Sequence, residues 1–157
     1  MTRLYGRAPT DERVNEYVPD VRFQRTSIIS SVRLDGTQVP FIFKGTLNGK
    51  LFKKYVDDYL SPSLSEGDVV ILDRSSVHRV GGVLDSIIAK GAVPLFLPPY
   101  SPDYNPIEML WSKVKAILRK KKARVASKLR QALDYAISCV TLEDIANWFK
   151  HDGYSHQ

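Results

Sequence analysis

The chain has one cysteine, Cys139, in 157 residues. A single thiol excludes an intramolecular disulfide framework and any paired-cysteine metal site, and it suits a reducing compartment. No apolar run approaches the roughly 20 residues of a membrane span. No signal peptide opens the sequence, because Met1-Thr2-Arg3-Leu4-Tyr5-Gly6 runs straight into charged residues. There is no glycine-rich phosphate loop and no His-Glu-x-x-His run, which leaves nucleotide-binding loops and zinc-protease chemistry unsupported. Internal repeats and low-complexity linkers are absent as well. These absences lead us to expect one soluble cytoplasmic domain over 1–157, with no membrane partner.

Acidic residues are missing from one stretch in particular. Between Met109 and Leu133 there are nine Lys or Arg and no Asp or Glu. The formal net charge is +6 and the isoelectric point about 9.4, which suits a polyanionic partner. Lys113, Lys115, Arg119, Lys120, Lys121, Lys122 and Arg124 are the candidate DNA-binding residues. The alternative is a solvated helix end, where cations also favour the helix dipole. Apolar residues make up 43% of the chain, enough for a core; chains of this size bury roughly 68–70% of their unfolded surface.

Residues 1–25 read as an irregular arm. Thr26 to Leu34 is rich in β-branched residues and stops at Asp35-Gly36, a hairpin signal. Gln38 to Lys44 is the second arm, with Pro40 setting an edge position or a late start. From Asn48-Gly49, residues Leu51, Phe52, Tyr55, Val56, Tyr59 and Leu60 recur at helical spacing up to Pro62. Val69 to Leu72 is a short uninterrupted apolar run, as in a strand buried on both faces. A helix around Val83–Ile88, capped at Gly91, leads to a strand at Val93–Leu97, so a parallel crossover is expected. The motif-bearing core is 26–118, and 119–157 is helical. The pattern predicts an α/β fold: a mixed sheet flanked by helices, with a hairpin leading into a parallel pair. No segment before Thr26 is regular enough to be a further strand.

Two carboxylates stand out. Asp73 ends the run Val69-Val70-Ile71-Leu72, at a strand end of the kind where parallel sheets bind ligands. It can equally turn the chain by hydrogen-bonding the next amides. Glu108 lies in the first turn of a helix, where the dipole alone stabilises it. The approach to Glu108 is unusual: five of the nine prolines fall between Pro94 and Pro106. Each fixes its own φ and restricts its predecessor, so the loop loses little entropy on folding and holds Glu108 in a narrow range of positions. Such carboxylates can hold divalent metals for phosphodiester chemistry. Around them, Arg74 can pair with a phosphate or with Asp73. His78 is a site-orienting group or a satisfied loop residue. Asn105 fits a cap or turn.

Val70-Ile-Leu-Asp73, His78, Leu97-Pro-Pro-Tyr-Ser-Pro-Asp-Tyr-Asn-Pro-Ile-Glu108 and Trp111-Ser-Lys-Val-Lys115 together resemble the catalytic domain of IS630-type transposases. These belong with the Tc1/mariner superfamily and its DDE endonuclease domain. The resemblance implies a ribonuclease-H-like fold and a triad of two Asp and one Glu around two divalent ions, Mg²⁺ or Mn²⁺. It also implies cleavage and strand transfer at transposon terminal repeats. Asp73 matches the second carboxylate and Glu108 the third, with 34 residues between them. Two departures follow. The first strand and its Asp would precede Met1-Thr2-Arg3, and none of Asp11, Asp20 or Asp35 has a matching context. Arg74 stands where the family usually has Asn. The expectation is therefore a transposase catalytic-domain portion that cleaves weakly or not at all alone. The alternatives are a non-catalytic DNA-binding or regulatory remnant, or half of a frameshifted active enzyme. An unpaired sheet edge would make the hairpin slide toward Val69–Leu72 or recruit another chain, either a second copy or a complementing N-terminal segment.

Overall fold

The computed structural model describes residues 26–121 and 126–154. Among them are four strands and five α-helices, a mixed α/β arrangement consistent with the ribonuclease-H-like class expected from the sequence. The described residues fall into two compact units: residues 26–110 with 141–154, and residues 111–121 with 126–140.

The first unit begins with the hairpin of β1 (Thr26–Ile29) and β2 (Phe41–Lys44), antiparallel with Ile28 opposite Ile42. Its connection turns where Asp35-Gly36 predicted. Arg33 N–H donates to the Thr37 carbonyl (3.0 Å), and the Asp35 carboxylate accepts from Thr37 N–H (2.8 Å). Gly36 has φ +91°, a conformation that favours glycine, while a Cβ there would meet only the end of the exposed Leu142 side chain. Pro40 delays β2 to Phe41, because proline cannot donate to the ladder.

Helix α1 (Gly49–Tyr55) is capped by the Asn48 side chain, which accepts from Leu51 N–H. It continues through a π-helical turn, Val56–Leu60, and a 3₁₀ turn containing Pro62. Phe52, Tyr55, Val56 and Leu60 face inward and are buried. On the outer side, Lys53 and Lys54 each pair four residues on, with Asp57 and Asp58. Strand β3 (Val69–Leu72), helix α2 (Val83–Ile88) and strand β4 (Val93–Phe96) then complete a strand–helix–strand unit. Its strands are parallel, with Leu72 opposite Phe96.

The two strand pairs form separate two-stranded sheets, with no ladder between hairpin and β3 among the described residues. The hairpin has not slid across to Val69–Leu72. Both sheets lean on one helical layer: Ile29 and Phe41 from the hairpin, and Val70 and Phe96 from the parallel pair, pack on the buried core of α1, its π turn and α2. The Arg33 guanidinium grips Asp68 bidentately (2.6 and 2.7 Å), tying the hairpin to the start of β3. One expectation is corrected here. The apolar run predicts a β3 buried on both faces, yet Val69 is 57% exposed, and Val93 and Leu95 on β4 are exposed as well. Within this unit the helices cover only the face that carries Val70, Leu72 and Phe96.

Helix α3 (Pro106–Lys121) starts in the first unit and continues into the second, which also holds α4 (Ala126–Ser138). Leu110 and Val114 on α3, and Ala132, Leu133 and Ala136 on α4, are buried. Helix α5 (Leu142–His151) returns to the first unit behind a Thr141/Asp144 capping box. Among the described residues no helix is long and apolar enough to cross a membrane.

Candidate active site

Asp73 is the first residue beyond β3. The parallel ladder continues past the strand ends, with Leu97 N–H donating to the Leu72 carbonyl (2.8 Å). Asp73 therefore leaves the sheet at its C-terminal end, where side chains can meet a ligand without distorting the ladder. Its side chain is 53% exposed. Oδ1 accepts from Ser75 N–H (2.8 Å) and lies 2.7 Å from His78 Nδ1. One oxygen thus fixes the local turn, and Oδ2 makes no hydrogen bond among the described residues.

His78 sits in a 3₁₀ turn, Ser76–Arg79, with its side chain only 18% exposed. Its Nδ1 meets both the Asp73 carboxylate and the Asp73 carbonyl (3.2 Å), two acceptors, so Nδ1 carries a hydrogen. The ring also lies 4.4 Å from Phe52 of the core. His78 is therefore a satisfied loop residue because it holds Asp73. Arg74 does not pair with Asp73. Its Nε donates to the Leu97 carbonyl (3.1 Å), bridging the exits of β3 and β4.

The proline-rich loop leaves from buried Leu97. Tyr100 has φ +55°, the one non-glycine residue in the left-handed region among those described. For an L-residue this conformation costs on the order of 1 kcal/mol. Its side chain is fully exposed, at 102% of the reference area. Nothing in the sequence reading singled out Tyr100; the available signal was an aromatic enclosed by Pro98-Pro99 and Ser101-Pro102. The loop then makes a 3₁₀ turn, Pro102–Tyr104, and Tyr154 Oη donates to the Tyr104 carbonyl (2.7 Å).

Asn105 is extended, as a residue before proline must be, and its carbonyl accepts from Glu108 N–H (2.9 Å). It acts as the cap position expected of it, with Pro106 opening the helix. Glu108 lies in the first turn of α3, exposed, its carboxylate without a hydrogen bond or ion pair among the described residues. Lys113 is half-buried, while Lys115, Arg119, Lys120 and Lys121 are exposed on α3. Lys121 Nζ stands 3.6 Å from the Tyr135 ring centroid, a cation–π contact. Lys122 and Arg124 lie outside the described residues.

Among the described residues no three His, Cys, Asp or Glu side chains group into a metal site. Asp73 and Glu108 each carry a carboxylate, the donor type that hard divalent ions take.

No curated protein matches the chain. The family model described as DDE superfamily endonuclease matches residues 1–130, a span that includes all four strands, Asp73, the proline-rich loop, Glu108 and α3. Enzymes of this kind act on DNA and generally use divalent metal ions. With most of its length matched and its two exposed carboxylates inside the matched span, the chain belongs to the DDE superfamily endonucleases.

Proposed function

We propose that the chain is a transposase catalytic-domain portion of the IS630/Tc1-mariner branch, with transposon terminal repeats as its DNA substrate. Asp73 and Glu108 are the second and third carboxylates of its triad. The observation that carries this reading is the pairing of an aspartate at a parallel strand end with a glutamate at the end of a loop stiffened by prolines. Mg²⁺ or Mn²⁺ ions, when bound, supply the activated water and the charge stabilisation for phosphodiester cleavage. Asp73 and Glu108 would ligate them, with His78 holding Asp73 and Asn105 setting the start of α3. Because these two carboxylates leave the centre incomplete, no bond-breaking step is assigned to them alone. The 157-residue protein should nick terminal-repeat DNA weakly or not at all in Mg²⁺ or Mn²⁺. Vigorous nicking that disappears in Asp73→Ala would refute this.

The separate sheets favour a specific source for a third ligand. Each two-stranded sheet has a strand with an unpaired edge, and both rest on one helical layer. A strand lying between β1 and β3 would satisfy both ladders. An aspartate at its end beside Asp73 would raise the donor count to three. Such a strand can come from a complementing N-terminal segment, in the same polypeptide or a separate one, or from a second copy in a homodimer.

A non-catalytic reading draws on the basic run. Lys115, Arg119, Lys120 and Lys121 are exposed along α3, and they favour metal-independent binding that weakens as salt rises. Reversing the charge of Lys120, Lys121 and Lys122 should then lower DNA affinity severalfold. Unchanged affinity would remove this reading.

A further inference from the structure

We infer that Tyr100 is a base-stacking residue, whose ring takes the face of an unpaired nucleobase in the DNA substrate. The inference rests on the reading of the chain as a DNA-processing domain, and it assigns one side chain to one part of that substrate.

Three observations combine at this position. The residue is fully exposed. The backbone beneath it is held at φ +55°, a conformation that an L-residue outside Gly, Asn and Asp seldom adopts and that is retained where the surrounding structure imposes it. Both ends of the loop are anchored. Leu97 is buried, with its N–H donating to Leu72 and its carbonyl accepting from Arg74 Nε; at the far end Tyr154 holds the Tyr104 carbonyl. Pro98, Pro99 and Pro102 stiffen the span between. The loop therefore presents an aromatic ring to solvent at little further entropic cost on binding.

The chemistry of the ring selects the ligand. Tyr100 carries no charge for a phosphate, whereas Arg74 beside Asp73 does. A phenol ring offers a flat apolar face, and nucleobases stack on such faces with little regard to sequence. Within a duplex both faces of a base are covered by its neighbours. A ring on a loop can take the face of an unpaired base only in a single-stranded tail or on an extruded nucleotide. Since Arg74 ties the exit of β4 to the exit of β3, the loop that carries Tyr100 leaves the sheet at the same end as Asp73 and runs on to Glu108. A base held there would fix the register of the strand whose phosphodiester meets the two carboxylates.

The test compares the full chain with its Tyr100→Phe, Tyr100→Ala and Tyr100→Gly variants. The probes are a blunt duplex and the same duplex with a single-stranded 3′ tail containing 2-aminopurine. The wild-type chain and Tyr100→Phe should bind the tailed probe more tightly than the blunt one and quench its fluorescence, as stacking does. Tyr100→Ala and Tyr100→Gly should lose the quench and about 10-fold in affinity for the tailed probe, the size of one base–aromatic stack, with blunt-duplex affinity unchanged. Tyr100→Gly also relieves the backbone, so its melting temperature should not fall, which separates lost binding from lost folding. Retention of quench and tail preference in Tyr100→Gly overturns the inference and leaves the DNA-processing reading intact. So does an equal loss on both probes. A wild-type chain that binds neither probe overturns both.

Discussion

Asp73 and Glu108 are presented by opposite means. Asp73 leaves a strand and is held by its side chain: Ser75 N–H and His78 Nδ1 converge on one oxygen, and His78 rests on Phe52 of the core. Glu108 has no side-chain partner among the described residues and is placed by its backbone alone, through prolines, a 3₁₀ turn and the first turn of α3. One carboxylate is fixed by hydrogen bonds backed by packing, the other by restricted dihedrals. Substitutions that disturb packing should therefore reach Asp73, and those that relax the backbone should reach Glu108.

The largest effect should come from Phe52→Ala. Removing a buried aromatic costs about 3–5 kcal/mol, read as a shift in the denaturation midpoint, and it also removes the support of the His78 ring. Alkaline pH should act on the same helical layer. Burial pushes the Tyr55 phenol up to about 12 from its ordinary 10.0. The neutral form is thus favoured by folding, so its contribution is complete below pH 10 and is lost as pH rises through about 12. Tyrosinate absorbance and unfolding should rise together in that window; Tyr55 ionising near pH 10 without unfolding would contradict this.

His78→Ala should cost about 1 kcal/mol, one hydrogen bond's worth. It should speed hydrogen exchange at the Ser75 amide, with no change at the Glu108 amide. Replacing Pro98 and Pro99 by Ala should cost about 0.4–1 kcal/mol each through the unfolded chain, with the opposite exchange pattern. If His78→Ala loosens Glu108 as much as Asp73, the two carboxylates are not independently held. The smallest effect belongs to Glu108→Gln. With only the helix dipole favouring its charge, stability should change by less than about 1 kcal/mol.

The contrast also separates what was legible in the sequence from what was not. Asp35-Gly36, Asn48 and Pro62 signal local events, and each marks the turn, cap or stop it predicted, whereas Gly91, expected to cap α2, lies two residues beyond its C-cap, Ala89. The helical repeat from Leu51 to Leu60 marked Phe52, Tyr55, Val56 and Leu60, which are buried, but also Tyr59, which is exposed, and it did not show the π-helical turn, because a change from i→i−4 to i→i−5 bonding leaves apolar spacing almost untouched. The apolar run Val69–Leu72 gave a strand but not its exposure, since burial depends on what covers each face rather than on the run itself. Asp73 and Glu108 were visible through their neighbours. The His78–Asp73 pair was visible only as two readings, because nothing in a five-residue spacing says which way a ring turns. Arg74 offered phosphate or Asp73 as partners, and the Leu97 carbonyl, 23 residues away, was not foreseeable. Tyr100 was hidden because a backbone angle, and not a residue type, makes it unusual.

The central claim is that Asp73 and Glu108 are two of three ligands in a centre completed by a strand between β1 and β3. The most direct measurement is Mn²⁺-dependent nicking of terminal-repeat DNA by the chain, alone and fused to an N-terminal strand of alternating apolar residues that ends in Asp. The fused protein should nick, and Asp73→Ala or Glu108→Ala should each abolish the activity, while the unfused chain stays at background. Equal nicking by both proteins, or nicking by the fused protein that survives Asp73→Ala, would contradict the account.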